Sequence, residues 1–258
     1  MSLVPAVASG WRAGFGNALD KELGSWWRTR RWLIHLVMWP LIVGFFCFMV
    51  WADDRSRTPA NGVNESVQLF FQLGGFFALI GAVLVTQGAI VGERRSGTAA
   101  WVLTKPLTRN AFVLAKLVGI TFSFLMLSLV IPSLVWLVQI KLQWGQIPSL
   151  DHFYEAVGIL AIHQFFFIAL TLTLGTFFQH RAGVAGAALG FWIAGRILPG
   201  QLPQWLVALT PWPLVDLAPA VALWRPVPIQ VWIPTLASAV LAVVCVAIAL
   251  WRFGREEF

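Results

Sequence analysis

The sequence predicts an all-α, polytopic membrane protein with six transmembrane helices, an N-terminal amphipathic interfacial helix and one short helix in a cytoplasmic loop. Three observations predict it. The 258 residues are 59% hydrophobic and only 11% charged, far from the roughly 45–50% apolar and 25% charged usage of water-soluble domains. Six apolar runs meet or approach the roughly 20 residues that a helix needs to cross hydrocarbon. Lys and Arg gather in short clusters on alternate sides of those runs, so membrane topology rather than nucleic-acid binding accounts for the net charge of +7.

The runs fall near Trp32–Trp51, Leu69–Val91, Phe112–Ile140, Phe153–Phe178, Ala182–Leu198 and Ile229–Trp251. The third is long, and Pro132 within it predicts a kink or a tilt. With the N-terminus cytoplasmic, thirteen Lys and Arg residues lie inside (Arg12, Lys21 and Arg109 among them) against four outside, Arg55, Arg57, Lys141 and Arg225, with Arg196 within the fifth span. That bias places both termini in the cytoplasm, which an even number of spans requires. Trp26, Trp27, Trp32 and Trp251 then meet the inner headgroup layer, and Trp51, Trp144, Trp224 and Trp232 the outer one. No internal repeat or soluble domain interrupts the chain, so residues 1–258 form a single transmembrane domain.

Ahead of the first span, over residues 11–31, Trp11, Phe15, Ala18, Leu19, Leu23, Trp26 and Trp27 recur at helical spacing, with Asn17, Asp20, Lys21, Ser25 and Arg28 opposite. Glu22 falls inside the apolar arc. A carboxylate there needs a cation, either a local one such as Arg12 or one on a partner protein.

Between the second and third spans, residues 92–111 form the one sizeable cytoplasmic loop. Ser96 or Thr98 can cap a short helix through Trp101 and Leu103, Pro106 ends it, and Thr108 can cap the helix that becomes the third span. Residues 199–228 are apolar yet broken by Pro203, Pro211, Pro213, Pro219 and Pro226; they read either as a partly re-entrant outer segment or as an amphipathic outer loop.

In the fifth span Ala182, Gly186, Gly190 and Ala194 recur every fourth residue, so two helix backbones can approach closely, within the subunit or between two copies. Thr86, Gln87, His163 and Gln164 are intramembrane polar residues, open to reading as interhelical hydrogen bonds or as lining of a translocation path. Cys47 and Cys245 fall at depths about 15 Å apart at 1.5 Å per residue, too far for a disulfide. The chain contains no G-x-x-x-x-G-K-[ST] phosphate loop, no C-x-x-C and no H-E-x-x-H, and its four His residues are dispersed, so no metal site is expected.

The order Glu93-Arg-Arg-Ser-Gly97-Thr98, then Leu103-Thr-Lys105-Pro106-Leu-Thr-Arg109, then Phe112-Val-Leu-Ala-Lys116-Leu resembles the signature of the membrane-spanning permeases of type-2 ABC exporters. Lys21-Glu22-Leu23 with Arg28-Thr-Arg30-Arg31, and the tail Trp251-Arg-Phe-Gly-Arg-Glu-Glu-Phe258, resemble the same family's interfacial helix and C-terminus. Ser96 stands where that family often has a further charged residue. The resemblance implies a permease of the bacterial inner (plasma) membrane that pairs with a second permease subunit and docks on a separate P-loop ABC ATPase. It implies that Glu22, Glu93, Gly97, Thr98, Lys105, Pro106 and Arg109 belong to the coupling region. It implies no cofactor on this chain, with ATP and Mg held by the partner, and no catalytic residue. An intramembrane enzyme and a non-transporting scaffold or immunity protein are the alternative functions.

Overall fold

The computed structural model describes residues 14–53, 58–96, 107–227 and 229–255. Among them there is no strand, and six helices are long and apolar enough to cross a membrane. The helices are α1 (Phe15–Trp27), α2 (Arg31–Asp53), α3 (Pro59–Thr86), α4 (Val91–Arg95), α5 (Arg109–Leu125), α6 (Ile131–Trp144), α7 (Leu150–Phe177), α8 (Arg181–Ile197), α9 (Gln204–Ala208), α10 (Leu214–Ala222) and α11 (Trp232–Gly254).

Capping explains where two of them begin. Thr58 sits in an extended conformation, its hydroxyl accepts from the Asn61 amide, and Pro59 occupies the first turn, where its missing N–H costs nothing. Helix α3 therefore starts ten residues before the Leu69 boundary expected from hydropathy, because Asn61, Asn64 and Glu65 lower the apolar signal without breaking the helix. Thr108 caps α5 as expected, its hydroxyl accepting from Ala111 at 3.2 Å.

The irregularity expected at Pro132 takes the form of a π-helical turn, Met126–Val130, joining α5 to α6. Proline cannot donate to the carbonyl four residues back, and its ring crowds that carbonyl; widening the preceding turn accommodates both. The Ser133 hydroxyl donates to the Val130 carbonyl at 2.7 Å within this turn. Together α5, the π turn and α6 span 36 residues. At about 1.5 Å per residue the rod is much longer than the roughly 30 Å of hydrocarbon, so it tilts or projects beyond it.

Helix α7 lies at the centre, packed on α3, α8, α10 and α11, and 67% of its most apolar window is buried, against 17% for α8. The core has two parts. One, at the end where α1 and the last turn of α11 each pack on α5, gathers Trp26, Trp39, Phe112, Phe124 and Phe253. The other, at the far end, gathers Phe70, Phe71, Trp136, Phe153 and Leu214. There Trp136 stacks on Phe153 with centroids 5.2 Å apart and donates its indole N–H to Cys47 Sγ at 2.9 Å. The proline-broken stretch forms α9 and α10, and α10 plugs the far-end core with Leu214, Leu217, Ala218 and Ala222. Both cysteines are free thiols.

Candidate coupling site at the end that bears the termini

Lys116 lies two turns into α5, on the face shared with Phe112, Gly119 and Ser123. Its side chain is only 4% exposed, and its ammonium donates to Glu22 Oε1 at 2.8 Å and to Glu93 Oε1 at 3.0 Å. The Glu22 and Glu93 side chains are themselves 14% and 18% exposed. Lys21 Nζ reaches Glu93 from the solvent side at 3.4 Å, so two cations and two carboxylates balance. A buried ammonium costs several kcal/mol unless compensated, and removing one member of such a group leaves the others uncompensated.

The triad joins three helices, because Glu22 is on α1, Glu93 on α4 and Lys116 on α5. Its closeness depends on Gly119, where an added Cβ would lie 2.8 Å from the Cβ of Glu22. One turn further the Trp27 indole N–H donates to the Ser123 hydroxyl at 3.0 Å, and Trp26 is buried in the core. Helix α1 is thus fixed along α5 by an ion pair, a glycine contact and an indole hydrogen bond. In the structure the cation that meets Glu22 comes from the third span, 94 residues away.

Arginines extend the connection. On α4, Arg94 donates to the Thr176 carbonyl at 3.2 Å and the Phe178 carbonyl at 3.1 Å, closing the C-terminal turn of α7, where orphan carbonyls favour a cation. Its neighbour Arg95 contacts His180 Nδ1 at 2.8 Å. At the start of α5, Arg109 donates to the Gly254 carbonyl at 2.8 Å, capping α11 in the same way, and Phe112 stacks on Phe253 with centroids 5.5 Å apart. The Lys116 ammonium also lies 4.9 Å from the centre of the Phe112 ring. Contacts therefore run from α1 and α4 through Lys116 into α5, from α4 through Arg94 into α7, and from α5 through Arg109 into α11.

Residues 17–258 match the family described as ABC-2 family transporter protein. The chain belongs to that family. It is 29% identical over 263 residues to a probable ABC transporter permease protein NosY of Pseudomonas aeruginosa, covering 90% of each chain. It is 25% identical over 220 residues to a probable NosY permease of Stutzerimonas stutzeri, covering 76% of this chain and 77% of that one. This ABC-2 permease is a multi-pass membrane transport protein, and membership implies a companion ATPase.

The positions implied by the family signature separate in space. Glu22 and Glu93 meet on Lys116, Arg109 lies at the end of α11, and Gly97, Thr98, Lys105 and Pro106 lie outside the described residues, as does the short helix expected through Trp101 and Leu103. Of the intramembrane polar residues, Thr86, His163 and Gln164 are buried. The Gln164 amide donates to the Gly75 carbonyl at 3.2 Å, and the His163 ring lies 5.0 Å from Phe167. Gln87 donates to the Leu84 carbonyl at 3.2 Å beside a cavity between α1, α5 and the start of α8. Gly186 and Gly190 face outward, with no atom within 4 Å of an added Cβ on either. Among the described residues no cluster of His, Cys, Asp or Glu could hold a metal ion.

Lys116 was legible only as part of the family signature, and its role as the centre of the site was missed. The signal was a cation two turns inside an apolar run, with two carboxylates upstream that lacked partners.

Proposed function

We propose that this permease forms the translocation path of an ABC exporter together with a second permease subunit, and that the Glu22–Lys116–Glu93 triad is the joint through which a P-loop ATPase drives it. The observation that carries the reading is the burial of the Lys116 ammonium between carboxylates of α1 and α4. Helix α1 is the interfacial helix and α4 opens the 92–111 loop, the two elements expected to dock on the ATPase, with the termini and that loop on the cytoplasmic side.

On ATP binding, closure of the ATPase subunits would push α1 and α4 together. Because both are tied to α5, and α4 also holds the end of α7, the displacement would pass into the spans and tilt them, opening a cavity between paired subunits toward the outside; hydrolysis would reset it. The outward face of α8 at Gly186 and Gly190 supplies a surface on which a second copy can pack backbone to backbone. The proline-broken segment 199–228 would close the outer end of the path.

The test is the neutral triple variant Glu22→Gln, Lys116→Met, Glu93→Gln, made in the permease and assembled with its ATPase. Replacing a buried ion group by matched neutral side chains is close to neutral or stabilising, so the complex is expected to assemble, while permease-dependent control of ATP hydrolysis and transport are lost. Wild-type coupling in an assembled triple variant would remove the triad from the mechanism.

A further inference from the structure

On the termini-bearing side, α1, the start of α2, the α3–α4 turn, α5 and the start of α8 enclose an open cavity of about 540 Å³. Its charged lining is Lys21, Arg31, Lys116 and Arg181 against Glu22 and Glu93. Both carboxylates are engaged by Lys116, and Glu93 also by Lys21. The guanidinium groups of Arg31 and Arg181 form no ion pair or hydrogen bond among the described residues, so the cavity has two of them in excess.

The exposed Arg181 side chain lies against the α3–α4 turn. Its guanidinium lies over the backbone of the α3–α4 turn, 3.1 Å from an added Cβ at Gly88 and 2.9 Å from one at Gly92. Any side chain at either glycine would displace it. Arg181 is also the first residue of the 17-residue helix α8, whose N-cap His180 gives no side-chain capping bond. Two unpaired guanidinium groups in one cavity, one of them on the first residue of a helix, suit an anion that offers several acceptor oxygens, such as a phosphate group.

We propose that this cavity binds the phosphate of an anionic phospholipid from the adjacent leaflet. Two features favour a lipid over a free anion. Leu84, part of the cavity wall, is 53% exposed. From Arg31 the exposed apolar face of α2 continues through Ile34, Val37 and Leu41, so acyl chains can lie along helix surface already suited to hydrocarbon. The stacked Trp27 and Trp32 rings, on the helices that carry Lys21 and Arg31, suit headgroup level. Juxtamembrane basic groups bind such a leaflet through its anionic headgroups. The bound phosphate would tie α2 to α8 and to the α3–α4 turn. The site requires only that the chain lies in a bilayer and is independent of the coupling mechanism.

The test uses full-length protein equilibrated in mild detergent with equal amounts of phosphatidylglycerol and phosphatidylcholine of matched chains, with bound lipid counted by native mass spectrometry. Wild type is expected to retain phosphatidylglycerol over phosphatidylcholine by about ten-fold, and Arg31→Gln/Arg181→Gln to fall to parity. Because Arg181 packs on backbone, Arg31→Gln alone is the second variant and is expected to give an intermediate ratio. Arg225→Gln, at the opposite end of the bundle, is expected to keep the wild-type ratio. Equal retention of the two lipids by wild type, or an unchanged ratio in both arginine variants, overturns the proposal. Thermal protection by phosphatidylglycerol but not by inorganic phosphate assigns the lipid source; equal protection by inorganic phosphate alone overturns that source.

Discussion

At the end that bears the termini, α1, α4 and α5 meet through one ammonium and two carboxylates, and arginines close the ends of α7 and α11. At the far end, α3, α6, α7 and α10 meet through Phe70, Phe71, Trp136, Phe153 and Leu214, with few polar contacts. Aromatic packing of this kind is dense, and it loses contacts steeply when separated. Ionic and capping contacts depend on discrete partners, and a three-membered hub can exchange one partner for another. The comparison separates an end suited to receive motion from an end suited to resist it.

Single truncations at the two ends test this most severely. Lys116→Ala leaves the partly buried Glu22 without a cation and Glu93 with only the exposed Lys21, and is expected to cost about 3 kcal/mol. Phe153→Ala empties an aromatic site and is expected to cost a similar ~3–5 kcal/mol. Unfolding in bicelles or by thermal melt measures both. The ends are told apart by rescue: adding Glu22→Gln and Glu93→Gln to the Lys116 variant should restore most of its loss, whereas no polar substitution should restore Phe153→Ala. Equal behaviour of the two would erase the distinction.

Smaller effects sharpen it. Gly119→Val places side-chain atoms where Glu22 Cβ now lies, so α1 must shift, with an expected loss of about 1–3 kcal/mol and a longer Lys116–Glu22 contact. Trp27→Phe deletes the indole donor to Ser123 while keeping a ring, and is expected to cost about 1 kcal/mol, read as greater protease access to α1. The pair Arg196–Asp216 spans 3.2 Å at the far end, but both side chains are more than half exposed. Arg196→Gln is therefore expected to change stability by less than about 1 kcal/mol.

Helices α7 and α8 show where sequence reading stopped. Both are apolar enough to span a membrane, yet α7 is enclosed and α8 has most of its surface free. The less apolar and glycine-rich helix is the exposed one, opposite to the ordering that hydropathy alone suggests. In a bilayer an apolar side chain is satisfied by lipid or by protein alike, so composition cannot say which helix sits in the middle. The four-residue recurrence through Gly186 and Gly190 was visible in the sequence, whereas its outward direction follows from which face of α8 meets α7.

The number of spans, the capped start at Thr108 and the break at Pro132 were readable from local stretches of sequence. Each depends on the free-energy cost of placing a local stretch of chain in hydrocarbon or in a helix, and such costs are summed along the chain. The packing of the helices in three dimensions is what pairs Glu22 with Lys116, brings Arg109 and Arg94 to the ends of α11 and α7, and lays Arg181 beside Gly88 and Gly92. Those contacts join residues tens of positions apart, and a charge in the membrane specifies only that it needs a partner; which partner it finds is set by the way the helices pack.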